Sequence, residues 1–197
     1  MTIEIPYYGL RAYALFFSKH GTDEEFMQSD LDWIVSGPMK KKIFSLLVSS
    51  GWITKTSRNS YKCKSPEKSI ENLLEFRVPE IMKETKKEYT FTGASAVEVW
   101  SDYCYVQRGK EKSPYFVKIY KKDLNYWKVF FNKNKIPNYV GHGTTIGEYV
   151  ILIPVDKFEY RKRDGINVEP LEITKKIAKE NPMYQYAYEY IKNKYGD

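Results

Sequence analysis

Apolar positions in the first third of the chain follow a helical period. Over Tyr7 to His20 (YYGLRAYALFFSKH), Leu10, Ala14 and Phe17 form one stripe with Tyr13 and Phe16 beside it, and Gly21 supplies a stop. Ser29-Asp-Leu-Asp-Trp-Ile-Val opens on a good N-cap residue and runs about two turns to Ser36-Gly37. Pro38 suits the first turn of a new helix, Pro38 to Ser50, which places Met39, Ile43, Leu46 and Leu47 at buried spacing before Gly51 ends it. Trp52 to Thr56 and Tyr61 to Lys64 then flank the polar Ser57-Arg58-Asn59-Ser60, the signature of a two-stranded hairpin. Trp33 and Trp52 are expected to pack the helices onto that hairpin as core residues.

After Pro66 the pattern changes. Glu67 to Phe76 and Pro79 to Lys87 read as helices of mixed charge, and from Tyr89 onward short β-type runs alternate with helices. Thr90-Phe91-Thr92-Gly93 leads into a helix Ala94 to Trp100, Tyr103 to Gln107 and Tyr115 to Tyr120 are strand-like, and Lys122 to Lys133 is an aromatic helix. Tyr149 to Val155 is a continuous apolar strand, and Asp164-Gly165 between Phe158 to Arg163 and Ile166 to Glu169 is a strong hairpin signal. Helices Leu171 to Glu180 and Pro182 to Lys194 finish the chain. The expected fold class is α+β. Helix, short helix, turn, helix and basic hairpin is the order of a winged helix-turn-helix, assigned to residues 1–66, and a mixed α/β domain occupies 67–197.

Composition narrows the class. The 197 residues are 42% apolar, enough for a core in each part, and the mean hydropathy is −0.58. The longest uncharged apolar runs, such as Tyr149 to Val155, fall far short of the ~20 residues of a spanning helix. The start, Met1-Thr-Ile-Glu-Ile-Pro, lacks the basic-then-apolar pattern of a leader, so none is expected. Cys63 and Cys104 cannot build a disulfide framework and stand among Lys and Tyr, which makes a reducing cytoplasm the expected location.

Charge adds a location. The formal net charge is +7, yet residues 1–35 carry two basic and six acidic side chains. Residues 36–68 carry eight basic side chains against the single Glu67, a local excess equal to that of the whole chain. Such a nearly acid-free segment is the electrostatic footprint of a nucleic-acid contact. Lys40, Lys41 and Lys42 stand at the start of a helix, where cations oppose the dipole at a cost of a few tenths of a kcal/mol each. That placement points to an anionic partner, double-stranded DNA. Lys40, Lys41, Lys42 and Ser45, with Ser49, are expected to face the major groove, and Lys55, Arg58, Asn59, Lys62 and Lys64 of the wing to hold phosphates. Lysines read bases less sharply than Arg or Asn, so specificity is assigned to Ser45, Ser49, Asn59 and DNA shape. Neutralising about five phosphates implies a log-log salt slope near roughly −4 to −5.

Little else suggests chemistry. His20 closes a helix, where a cation suits the dipole, and His142 lies in the Gly-rich Gly141 to Gly147, which lacks the Lys-Ser/Thr of a phosphate loop and is read as a loop. Arg161-Lys162-Arg163 reads as the charged lead-in to a hairpin turn. No Cys/His set has metal-ligand spacing and no nucleophile elbow is present, so no catalytic residue, metal or cofactor is expected. Thr92-Gly93-Ala94-Ser95-Ala96 has the strand, Gly-Ser turn and helix with which a nucleotidyltransferase fold begins. Such enzymes need paired carboxylates on the next strand, and the run Trp100 to Val106 offers Asp102 alone.

On Leu31, Gly51-Trp52-Ile53, Thr92-Gly93-Ala94-Ser95-Ala96 and the closing helices from Pro170, nearly the whole chain resembles the AbiEi-type antitoxins of abortive-infection (type IV) toxin–antitoxin systems. The resemblance implies a cytoplasmic transcriptional regulator that represses its own operon through the N-terminal domain. Its C-terminal domain would counter a cognate toxin. A homodimer is expected on separate grounds, since many regulators of this kind read two half-sites. The sequence admits two rivals. A winged-helix protein-interaction module of a larger assembly predicts no DNA affinity, and a nucleotidyltransferase-fold enzyme predicts magnesium-dependent triphosphate binding that needs Asp102.

Overall fold

Residues 5–71, 74–105 and 108–196 are described by a computed structural model. The chain divides into two units, Met1–Leu74 and Glu75–Asp197. The helix α3 (Pro66–Glu71) falls in the first unit, whereas the sequence boundary at Pro66 gives it to the second. Residues 72 and 73 of the helix expected over Glu67 to Phe76 lie outside the described residues.

In the first unit, α1 spans Tyr7–His20 and stops where Gly21 turns with φ 56° and ψ −144°, its N–H still bonded to the Phe17 carbonyl. The buried face of α1 is Gly9, Ala12, Tyr13 and Phe16, about one residue around from the expected stripe; Leu10 and Ala14 are exposed. Ring packing decides this phase. Phe16 lies 4.1 Å from Phe26 and 5.4 Å from Phe44, centroid to centroid, and Tyr13 meets Trp52 edge-on at 4.8 Å. The strand β1 (Phe26–Met27) is followed by a single 3-10 turn, Gln28–Leu31, where a two-turn helix from Ser29 is expected. Asp30 accepts the Met27 N–H at 2.9 Å and fixes the start of that turn. Leu31 enters the core, and Trp33, in the irregular stretch that follows, is 79% exposed rather than buried. The helix α2 (Gly37–Ser49) buries Ile43, Phe44 and Leu47, leaving Leu46 half-buried and Met39 exposed. β2 (Ile53–Lys55) and β3 (Ser60–Cys63) form the hairpin, and β1 joins β3 from the other side in a three-stranded antiparallel sheet of order β1-β3-β2.

The second unit is a six-stranded mixed sheet carrying helices. Its elements are α4 (Val78–Lys83), β4 (Tyr89–Phe91), α5 (Ala94–Trp100), β5 (Lys112–Tyr120), α6 (Leu124–Lys133), β6 (Asn138–Val140), β7 (Gly147–Val155), β8 (Arg161–Arg163), β9 (Ile166–Val168), α7 (Leu171–Glu180) and α8 (Gln185–Tyr195). The strand order is β6-β7-β5-β4-β9-β8; β5 is antiparallel to β4, β9 to β8, and the other neighbours are parallel. One core joins Val78 and Met82 of α4, Trp127 and Phe131 of α6, and the sheet residues Tyr89, Phe91, Val117, Ile119, Val150, Leu152 and Val168. A smaller one joins Val97, Ala178, Ala187 and Ile191 of α5, α7 and α8. Along β5 burial alternates, so Tyr115, Val117 and Ile119 face one way while Phe116, Lys118 and Tyr120 share the other face. Gly93, between β4 and α5, has φ 57° and ψ −135°, a conformation in which any Cβ is strained.

The strand expected at Tyr103 to Gln107 does not form over its described part. Residues 101–105 are turns and bends, Asp102 and Tyr103 have φ of 55° and 60°, and residues 106 and 107 lie outside the described set. The strand that follows α5 and pairs with β4 is instead β5, and its residues 112–120 include no carboxylate.

Candidate nucleic-acid interface

Helical geometry sorts the basic residues of α2. The packed side carries Ile43, Phe44 and Leu47, so the opposite arc carries Lys41, Lys42, Ser45 and Ser49, all exposed. Ser49 Oγ donates to the Leu46 carbonyl at 3.0 Å, and Lys42 Nζ stands 5.7 Å from the Tyr8 ring centroid. Lys40 is one step around on the packed side. Its ammonium is paired with Asp32, and its side chain is only 17% exposed. The sequence grouped Lys40 with Lys41 and Lys42 because they are adjacent, but neighbours on a helix point about 100° apart.

The hairpin end makes the second part of the surface. Thr56 and Ser57 N–H bond the Ser60 carbonyl at 3.0 and 3.4 Å, and the Ser60 N–H bonds Ser57 Oγ at 3.3 Å. This closed turn presents Arg58 and Asn59 to solvent. Lys55, Arg58 and Asn59 line one groove of about 300 Å³ together with Gln28, Ser29, Met27 and Tyr61. Gln28 Nε2 donates to Tyr61 Oη at 2.8 Å, which holds the amide at the groove wall. Cationic donors on one side and amide and hydroxyl groups on the other suit a phosphodiester oxygen. Nothing in the sequence marks Gln28 and Ser29 as contacts; they come from an element some thirty residues away, and only the β1–β3 pairing brings them beside the hairpin.

Lys62 and Lys64 stand elsewhere. Lys62 is opposite Thr54 on the sheet face away from Tyr61 and Cys63. Lys64 lines a separate hollow of about 410 Å³ with Thr22, Thr54, Cys63, Ser65 and Lys68. The structure thus brings Lys41, Lys42, Ser45 and Ser49 together on one helix face, brings Lys55, Arg58 and Asn59 together at one groove, and sets Lys40, Lys62 and Lys64 apart.

Set against known proteins, the chain matches no family model, no curated protein and no solved structure. The site must be read from its own residues.

His20 and Asp102 are engaged structurally. His20 stacks on Phe26 at 5.6 Å and its Nδ1 lies 3.5 Å from Glu24. Asp102 is tied to Arg163, Lys194 and Tyr190, and Arg163 packs over the Trp100 ring at 4.9 Å, so this knot joins the end of α5, the β8–β9 hairpin and α8. Arg163 therefore serves this knot rather than only leading into the turn. Among the described residues no group of three or more His, Cys, Asp or Glu side chains is placed to hold a metal ion, and no helix is long and apolar enough to cross a membrane.

The hydrogen bonds from Lys194 and Tyr190, with the nearby Arg163 charge, pull the Asp102 carboxyl down to about 2 from 3.8. A depressed carboxyl contributes stability that is present above pH 4 and is lost as the pH falls through about 2. Asp102→Asn keeps a residue that tolerates positive φ. It is expected to cost on the order of 1 kcal/mol at pH 7, solvent screening having reduced the rest. In denaturant titrations the gap between wild type and variant should close between pH 4 and pH 2. A gap constant across that window would mean that the carboxylate charge contributes nothing. Glu148, whose carboxyl is raised by burial, is common to both proteins and cancels in the difference.

Proposed function

We propose that the first unit is a winged helix-turn-helix that binds double-stranded DNA, and that the chain is a transcriptional regulator. The observation that carries this reading is the polar face of α2. Lys41 and Lys42 stand in its first turns, with Ser45 and Ser49 below them, and the whole face is exposed on a helix that its 3-10 turn and hairpin hold from behind. Two cations with no carboxylate paired to them among the described residues, near a helix N-terminus, are unfavourable in the isolated protein and favourable against phosphates. The element order α1, β1, short helix, α2, hairpin, with the sheet order β1-β3-β2, supports it. In this reading α2 enters the major groove, with Ser45 and Ser49 near base edges, and Lys55, Arg58 and Asn59 of the wing clamp a flanking phosphate with Gln28 and Ser29.

The wider role follows from the resemblance to AbiEi-type antitoxins: a cytoplasmic autorepressor whose second unit faces a toxin; a homodimer is proposed separately, because many DNA-binding regulators read two half-sites. The enzyme alternative fares worse, since a metal at Asp102 would displace the cations that hold it.

Amide NMR of the full chain with a short duplex tests the surface. The largest shifts are expected at 41, 42, 45 and 49 of α2, at 55, 58 and 59, and at 28 and 29, with small ones at 40, 62 and 64. Shifts confined to residues 75–197 would overturn the assignment of DNA binding to the first unit.

A further inference from the structure

The sheet face that carries Lys118 and Tyr120 in the second unit holds a pocket that DNA binding does not use. It has a volume of about 620 Å³ and is lined by Lys118 and Tyr120 of β5, Asp156 to Glu159 after β7, Glu169 after β9, and Ile173 of α7. That volume lies in the range of small-molecule sites.

Its floor follows from the register. Phe91 of β4 pairs with Val168 of β9, so the next residues, Thr92 and Glu169, come side by side, and the Glu169 N–H bonds the Phe91 carbonyl at 2.9 Å. The Glu169 side chain is only 3% exposed. One of its oxygens accepts from Thr92 Oγ1 and the other from Lys118 Nζ. Lys118 is 29% exposed and uses one of its three donors on Glu169. A visitor therefore meets ammonium donors and is kept from the carboxylate beneath them.

The wall is aromatic. Tyr120 and Phe158 lie 4.5 Å apart, centroid to centroid, at an interplanar angle of 34°. Phe158 is half-buried and Ile173 is 43% exposed, so the apolar surface continues across the pocket. At the rim, Asp156 is paired with Lys121 at 2.7 Å, and Lys122 stands 5.3 Å from the Tyr120 centroid. Lys157 adds another ammonium, and Glu159 is exposed. Burying Lys118 and Glu169 on a sheet gains little stability over an apolar pair, which leaves a binding role as the better reason for their presence.

We propose that this pocket binds a small planar aromatic acid, its ring against Tyr120 and Phe158 and its carboxylate on the free donors of Lys118. The ring supplies the apolar contact area and the ammonium sets the orientation and the sign of charge accepted. The site belongs to the second unit alone and stands whether or not the first unit binds DNA.

The test is a calorimetric or NMR titration of the full chain with salicylate, a planar aromatic anion, and with benzylamine, a ring of opposite charge. Saturable salicylate binding is expected, with benzylamine unsaturated to about 10 mM. Phe158→Ala should weaken salicylate at least about tenfold. Because Lys118→Met alone strands the Glu169 carboxylate, the floor is tested with Lys118→Met combined with Glu169→Leu, and melting curves check that each variant folds. The double variant should also lose about tenfold or more, the worth of one charge-assisted hydrogen bond. Benzylamine binding as tightly as salicylate, salicylate affinity unchanged in both variants, or no saturable salicylate binding would each overturn the proposal.

Discussion

Replacing Lys41, Lys42 and Arg58 together by alanine is expected to weaken duplex binding by two to three orders of magnitude at about 0.1 M salt, and to flatten the log-log salt slope by roughly 2.7. Each cation that neutralises a phosphate releases condensed counterions, contributing about 0.9 to the slope, and the affinity loss follows from that entropy. All three residues are exposed, so their removal leaves the core of Ile43, Phe44, Leu47 and Tyr61 in place. Lys40→Ala is the internal control. Its charge is held by Asp32 on the packed side of α2, so the slope should change by less than about 0.5. Anisotropy titrations at four salt concentrations separate the cases. If Lys40→Ala flattens the slope as much as Lys41→Ala, the rotation assigned to α2 is wrong.

Arg108→Ala is expected to cost the second unit about 3 to 5 kcal/mol, the largest single-site loss of stability argued for this chain. The Arg108 and Glu98 side chains are each 9% exposed. Arg108 Nε reaches both Glu98 oxygens at 2.8 and 2.9 Å, Nη1 bonds the Pro114 carbonyl at 2.8 Å, and the guanidinium lies 3.5 Å from the Tyr115 ring centroid. Truncation leaves the Glu98 carboxylate buried with no counter-charge and uncovers the Pro114 carbonyl. A loss of that size is comparable to the whole stability of many domains. The combined variant Arg108→Leu with Glu98→Leu removes both charges and should recover much of the loss, the signature of a stranded charge rather than lost packing. Urea melts followed by far-ultraviolet circular dichroism provide the comparison. Equal losses in Arg108→Ala and in the double variant would contradict the account.

What the sequence made legible was local. The bounds of α1, α5 and α7 coincide with those read from periodicity and stop signals, because each is closed by its own Gly, Pro or polar break. The Asp164-Gly165 turn was legible for the same reason. What was not legible depends on partners far away in the chain. β1 and β6 are two and three residues long, too short to carry a period, and exist through pairing with β3 and β7. Hydrophobicity alone places Trp33 in the core, but Leu31 fills that place and the chain turns outward after it. Adjacency groups Lys40 with Lys41 and Lys42, whereas burial of Ile43, Phe44 and Leu47 fixes its direction. The groove at Arg58 and the pocket at Lys118 each combine residues from several elements, so no motif marks them. A lysine within an otherwise apolar and aromatic strand run, Tyr115 to Tyr120, was the one available signal of the second.

The central claim is that a small set of cations on α2 and the hairpin meets the phosphates of duplex DNA. The most direct measurement is the affinity of the full chain for a duplex of its own upstream sequence and for a random duplex, from about 0.05 to 0.2 M salt. With Lys41, Lys42, Lys55 and Arg58 in contact, a slope near roughly −3.5 is predicted, with tighter binding to the upstream duplex. No binding to either duplex at the lowest salt would contradict the account and leave the first unit a protein-interaction module.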